Sequence, residues 1–128
     1  MERHELDIAV KSVFDDFMQE RAFVPDYAKF LAREDPEFLV KWFATRRTFR
    51  GRGVLPEKYK ELLLMACNAI RLGSAGVKMH VRTAMDMGAT KEEILEAAQT
   101  MWLIGGGPSL NMCIRALMEV LEEDAKAR

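Results

Sequence analysis

Apolar residues recur every three or four positions along most of the chain, which is the spacing of amphipathic helices. No stretch of comparable length shows the strict alternation of apolar and polar residues that is typical of a strand. The pattern therefore predicts an all-α fold of about six or seven helices. The predicted breaks between helices fall at Pro25, Asp35–Pro36, Gly51–Gly53, Gly73–Gly76, Gly88 and Gly105–Gly107, with Pro108 starting the last helix.

The second half of the chain carries the clearest helix signals. One helix is predicted from about Pro56 to Leu72, with an inner face of Leu62, Leu63, Met65, Ala66, Ala69 and Ile70. The next ends at Gly88, a residue suited to the left-handed position just past a helix. Thr90 and Glu93 have the spacing of a capping box, so a further helix starts there. Its predicted inner face is Ile94, Ala97, Ala98, Met101 and Trp102.

Length and charge narrow the class of protein. A chain of 128 residues is the size of a single domain, predicted here over residues 1–128. The net charge of −1 gives no electrostatic argument for binding nucleic acid or an anionic membrane. No apolar run reaches the roughly 20 residues of a membrane span, and no signal segment opens the chain, so we expect a cytoplasmic protein. Two distant cysteines predict buried free thiols rather than a disulfide framework.

The chain has more large apolar residues than a small helical core needs. The chain has nine methionines, and aromatic residues are frequent between Phe38 and Phe49. We therefore expect part of this surface to be buried between subunits of a homo-oligomer.

His80 is the only histidine outside the N-terminal tail, and it lies on the apolar side of its helix. Its side chain is suited to proton transfer near neutral pH, although a buried structural histidine is the simpler interpretation. Glu61 is its candidate partner, because a carboxylate in an apolar helix is costly unless it is paired. An antiparallel hairpin that turns at Gly73 would not place Glu61 and His80 at the same height along the two helices. Their contact is expected to need crossed helices or a neighbouring subunit.

Lys78 and Arg82 flank His80 and are candidates for binding an anionic substrate, although such residues more often coat a helix. No metal site is predicted, because the chain has one interior histidine and no Cys-x-x-Cys. The glycines at Gly105–Gly107 lack the preceding strand and following lysine of a phosphate loop. They predict a tight turn between helices.

Three segments together resemble the carboxymuconolactone decarboxylase family, which includes the alkylhydroperoxidase D-like proteins. They are LPEKYKELLLMA, then HVRTAMDMGATKEEILEA, then GGGPS followed by an apolar helix, and they span about residues 55–121. The resemblance implies an all-helical, alkylhydroperoxidase D-like fold that assembles into trimers or hexamers. It also implies a small-molecule substrate, an organic acid or lactone, and no cofactor.

Members of the redox branch of this family share a motif of a Glu, then Cys-x-x-Cys, then His. Glu61 and His80 match the outer positions, but Gly73 and Gly76 stand where the cysteines would be. The resemblance therefore favours a cofactor-free lyase in which His80 is the acid/base and Glu61 its orienting partner. Two alternatives stay open: a non-catalytic oligomeric binding protein of the same fold, and, less favoured, a thiol-dependent peroxidase that uses Cys67.

Overall fold

The computed structural model describes all residues from 1 to 128 and contains six helices and no strand. They are α1 (Arg3–Arg21), α2 (Asp26–Glu34), α3 (Pro36–Arg47), α4 (Glu57–Ile70), α5 (Ser74–Asp86) and α6 (Lys91–Lys126). The all-α prediction is confirmed. Helix α6 is broken at Gly106, where φ is 79° and ψ is −176°, so it consists of two helical arms. No helix is both long enough and apolar enough to cross a membrane.

The chain forms two compact units, Met1–Gly53 and Val54–Arg128. In the first unit, α1, α2 and α3 pack around Val13, Phe17, Ala28, Leu39 and Phe43. The guanidinium of Arg46 lies over the rings of Phe17 and Phe43 and pairs with Glu20 at 2.6 Å. Arg46, near the end of α3, thus contacts residues of its own unit. A single domain over residues 1–128 stays a prediction.

In the second unit, α4, α5 and α6 surround a separate apolar core. Its fully buried members include Met65, Ala69, Val77, Val81, Ala84, Ile94 and Val120. The predicted inner-face position is wrong for three residues. Leu63 is 57% exposed, Ile70 is 45% exposed and Trp102 is 48% exposed. A helix turns by about 100° per residue, so consecutive apolar residues such as Leu62 and Leu63 cannot both face one core.

The turn between α4 and α5 places a leucine in the left-handed conformation. Leu72 has φ 59°, and its amide donates to the Ala69 carbonyl at 3.0 Å. The amide of Gly73 donates to the Asn68 carbonyl at 2.8 Å, which completes a Schellman motif. The same pattern ends α5, with Gly88 in the left-handed position as predicted (φ 97°). Gly73 itself has an ordinary φ of −88°.

The start of α6 is closed by the predicted capping box. The amide of Glu93 donates to the Thr90 hydroxyl at 3.1 Å, and the Thr90 amide donates to the Glu93 carboxylate at 2.9 Å. The Lys58 ammonium also donates to that carboxylate, at 2.9 Å, so the beginnings of α4 and α6 are joined. These bonds, that of Lys58 first, lower the pKa of Glu93.

Candidate active site

Glu61 on α4 and His80 on α5 form a buried hydrogen-bonded pair. His80 Nδ1 lies 2.6 Å from Glu61 Oε2; His80 is 5% exposed and Glu61 is fully buried. The contact lies within one chain, so of the two routes expected from the sequence, crossed helices or a neighbouring subunit, the second is not needed. The turn centres near Leu72, with Glu61 eleven residues before it and His80 eight after it. The remaining offset of three residues is about 4.5 Å along a helix, which two extended side chains span.

The contact with Glu61 distinguishes the two ring nitrogens of His80. An ionised carboxylate can only accept hydrogen bonds, so when Glu61 is ionised the Nδ1 atom that contacts it carries the proton. In the neutral ring the lone pair then lies on Nε2, the atom that acts as a base. Nε2 makes no hydrogen bond to the protein. It is also not one of the fully enclosed atoms without a partner, so part of its surface is accessible. Nε2 thus belongs to a buried ring and keeps a small accessible surface.

The α5 residues next to His80 include apolar side chains and one hydroxyl. Val77 and Ala84, at helical spacings from His80, are fully buried. The hydroxyl of Thr83 donates to the Met79 carbonyl at 3.0 Å, within its own helix.

Asn68 is a polar side chain near the pair that the sequence interpretation missed. It lies two helical turns after Glu61 on α4, and its Nδ2 donates to the Leu64 carbonyl at 3.0 Å. Its Oδ1 faces Gly73 and Gly76; a Cβ added at Gly76 would lie 2.4 Å from that oxygen. The available signal was an asparagine, a weak helix former, in a helix otherwise rich in leucine and alanine.

Lys78 and Arg82 face away from the Glu61–His80 contact. Residues two apart on a helix do not share a face, whereas Lys78 and Arg82, four apart, do. The Lys78 ammonium pairs with Glu123 at 2.5 Å and with Glu119 at 3.2 Å. The Arg82 guanidinium pairs with Asp124 at 2.7 Å and with Glu123 at 3.2 Å. These bonds, Glu123 first for Lys78 and Asp124 first for Arg82, raise the pKa of each cation.

The two cysteines differ in environment. Cys113 is buried, and burial raises the pKa of its thiol to about 11. Cys67 is exposed on α4, so the prediction that both thiols are buried is wrong for this residue. It lies one residue before Asn68, on a different side of the helix. No group of three or more His, Cys, Asp or Glu side chains is placed to hold a metal ion.

Comparison with known proteins identifies the family of this chain. Residues 36–119 match the model of the carboxymuconolactone decarboxylase family, and the chain belongs to that family. It is 32% identical over 75 residues to the uncharacterized protein MJ1511 of Methanocaldococcus jannaschii, covering 59% of this chain and 69% of that protein. The fold matches the crystal structure of a "putative carboxymuconolactone decarboxylase" from Burkholderia xenovorans LB400. The TM-score is 0.82 at 24% identity, over 96% of this chain and 98% of the other.

Proposed function

We propose that this family member is a cofactor-free lyase for a small carboxylated lactone or organic acid, with His80 as its acid/base and Glu61 as the group that orients and stabilises His80. The observation that carries the proposal is the buried 2.6 Å contact between His80 Nδ1 and Glu61 Oε2. A buried carboxylate beside Nδ1 fixes the tautomer of the ring and stabilises the imidazolium when Nε2 takes up a proton.

The reaction we propose needs one proton donor at carbon. Loss of CO2 breaks the bond between the carboxylate carbon and the ring carbon, and the bonding electron pair passes into a conjugated carbonyl. Protonated Nε2 of His80 then delivers its proton to a carbon of that conjugated system, and the neutral ring regains a proton from solvent. General acid/base catalysis of this kind contributes about 10²–10⁴ in rate.

Lys78 and Arg82 remain weaker candidates for binding the substrate anion. Each is already engaged by carboxylates of α6, so binding a substrate would require one of those ion pairs to be exchanged. Glu61 and His80 are therefore the main residues in the proposed chemistry.

We also propose that the protein works as a homo-oligomer, a trimer or a hexamer. Large apolar side chains on α4 and α6 lie open in the isolated chain: Leu63, Ile70, Trp102, Leu103 and Ile104. Leu103 and Ile104 are 75% and 86% exposed, adjacent to Trp102, and contiguous apolar surface of this kind marks interaction sites. Light scattering after gel filtration measures the subunit number, and a monomer at micromolar concentration contradicts this part of the proposal.

The test of the lyase is turnover of authentic carboxymuconolactone, followed by ultraviolet absorbance and CO2 release. We expect turnover by the wild type and a loss of about 10²–10⁴ in kcat in His80→Ala. His4→Ala is the matched control, because His4 is exposed in the first turn of α1 and should leave kcat unchanged. Turnover by His80→Ala at the wild-type rate would remove His80 from the mechanism.

A second function has one observation in its favour. Gly73 and Gly76, which border the site, supply no functional group, and the nearby cations are held by α6. An oligomeric binding protein without catalysis would have few functional groups around the pair in this way. A wild-type protein that binds the lactone but releases no CO2 over hours, at saturating substrate, favours it.

A further inference from the structure

We propose that Asn68 is the substrate-binding residue of the Glu61–His80 site and that its amide donates a hydrogen bond to a carboxylate or carbonyl oxygen of the ligand. This inference rests on the proposed function and names the group that holds the substrate while His80 exchanges the proton.

The position of Asn68 follows from two helices that meet along matching faces. On α4, Glu61 and Asn68 are seven residues apart, which returns to nearly the same side after two turns. On α5, Gly76 and His80 are four apart and adjacent on one face. Because Glu61 contacts His80 while Asn68 faces Gly76, the amide lies beside the pair, about one 5.4 Å helical turn along α5.

The amide is held in one orientation. Nδ2 donates to the Leu64 carbonyl at 3.0 Å, which identifies it as the nitrogen. Oδ1 lies against the backbone at Gly76, in space that any side chain at this position would occupy, since an added Cβ would be 2.4 Å away. A group fixed in this way loses little rotamer freedom when it binds a ligand.

Asn68 has unused hydrogen-bonding capacity. An asparagine amide has two N–H donors, and the bond to Leu64 uses one of them. The side chain is half-buried rather than enclosed, and we assign the second donor to the ligand. A helix packing contact alone does not need an amide, because leucine or alanine fills such a position without a polar group to satisfy.

The ligand chemistry follows from the groups around it. An amide N–H donates to an oxygen acceptor and adds no charge, and the neighbouring cations Lys78 and Arg82 are engaged by α6 carboxylates. We therefore assign Asn68 to one oxygen of a compact acid or lactone. His80, about one helical turn from Asn68, then contacts a carbon of the same ligand.

The test uses the sodium salt of γ-butyrolactone-γ-carboxylate as probe and protein labelled with ¹⁵N at asparagine and histidine. The chain has two asparagines and two histidines, so Asn111 and His4, both exposed, serve as internal controls. We expect the side-chain NH2 signals of Asn68 and the ring signals of His80 to shift saturably with probe, while those of Asn111 and His4 stay constant.

Asn68→Leu removes the donor at similar size, and Asn68→Ala serves if leucine prevents folding. We expect the Kd for the probe, read from His80, to rise about tenfold. Such a rise is the loss of about 1.4 kcal/mol. An unchanged Kd in a folded variant overturns the assignment, as does a shift of His80 without one of Asn68. Failure of both to respond in the wild type also overturns it. Carboxymuconolactone turnover that depends on His80 but not on Asn68 would leave the proposed lyase intact.

Discussion

Replacement of Gly76 by alanine should destabilise the second unit, although the same change at an open helix position is stabilising. The added Cβ would lie 2.4 Å from Asn68 Oδ1 and 2.9 Å from its Cγ, whereas ordinary contacts begin near 3.4 Å. The amide must therefore move by about 1 Å and strain its bond to Leu64. Overpacking of this kind costs about 1–3 kcal/mol.

A matched control and a double variant isolate the cause. Gly107 has no atom within 4 Å of an added Cβ and no left-handed φ, so Gly107→Ala should stabilise by about 0.5–1 kcal/mol. Truncation in Asn68→Ala removes the obstruction. The double variant Asn68→Ala/Gly76→Ala should therefore be more stable than the sum of the single changes by at least about 1 kcal/mol.

Urea unfolding followed by fluorescence provides the measurement. In a Trp42→Phe background, Trp102 on α6 is the remaining tryptophan and reports on the second unit. The midpoint should fall for Gly76→Ala and rise for Gly107→Ala, at unchanged slope. If Gly76→Ala is as stabilising as Gly107→Ala, the close approach of Asn68 to α5 is refuted.

Three further experiments test other parts of the structure. Leu72→Gly should stabilise by about 1 kcal/mol in chemical unfolding, because a left-handed leucine is strained and this one is exposed. A thiol reagent at pH 8 should label Cys67 quickly and Cys113 only on unfolding, because burial raises the pKa of Cys113 to about 11; equal rates contradict this. The pKa of Glu123, lowered chiefly by Lys78, should return toward its ordinary value in Lys78→Met when titrated by NMR. The stability from this pair is present above the unfolded-state pKa and disappears as pH falls through the lower folded-state pKa.

Sequence periodicity was sufficient for the helices of this fold because their ends carry local signals. The capping box at Thr90, the left-handed Gly88 and the break at Gly106 each depend on residues within one turn. Periodicity was less informative where apolar residues run consecutively. It could not tell which of Leu62 and Leu63 faces the core, because that depends on the neighbouring helices.

The two residues of the candidate site could be chosen from the sequence, but their geometry could not be predicted. His80 and Glu61 stood out as polar residues in apolar helices. Their contact depends on where the hairpin turns, and that point is set by the Schellman motif at Leu72, a residue that gives no turn signal. Asn68 was missed for a related reason. Its position depends on its approach to Gly76, a contact between two helices that no pattern within one helix contains.

The central claim is that Glu61 holds His80 with its proton on Nδ1 and its lone pair on Nε2. The most direct test is the ¹⁵N–¹H correlation spectrum of the His80 ring at neutral pH, with His4 as the exposed reference. We predict the Nδ1–H tautomer for His80 in the wild type. We also predict a change in its ring signals in Glu61→Gln, while His4 is unaffected. A wild-type His80 with its proton on Nε2, or ring signals that do not respond to Glu61→Gln, would contradict the account.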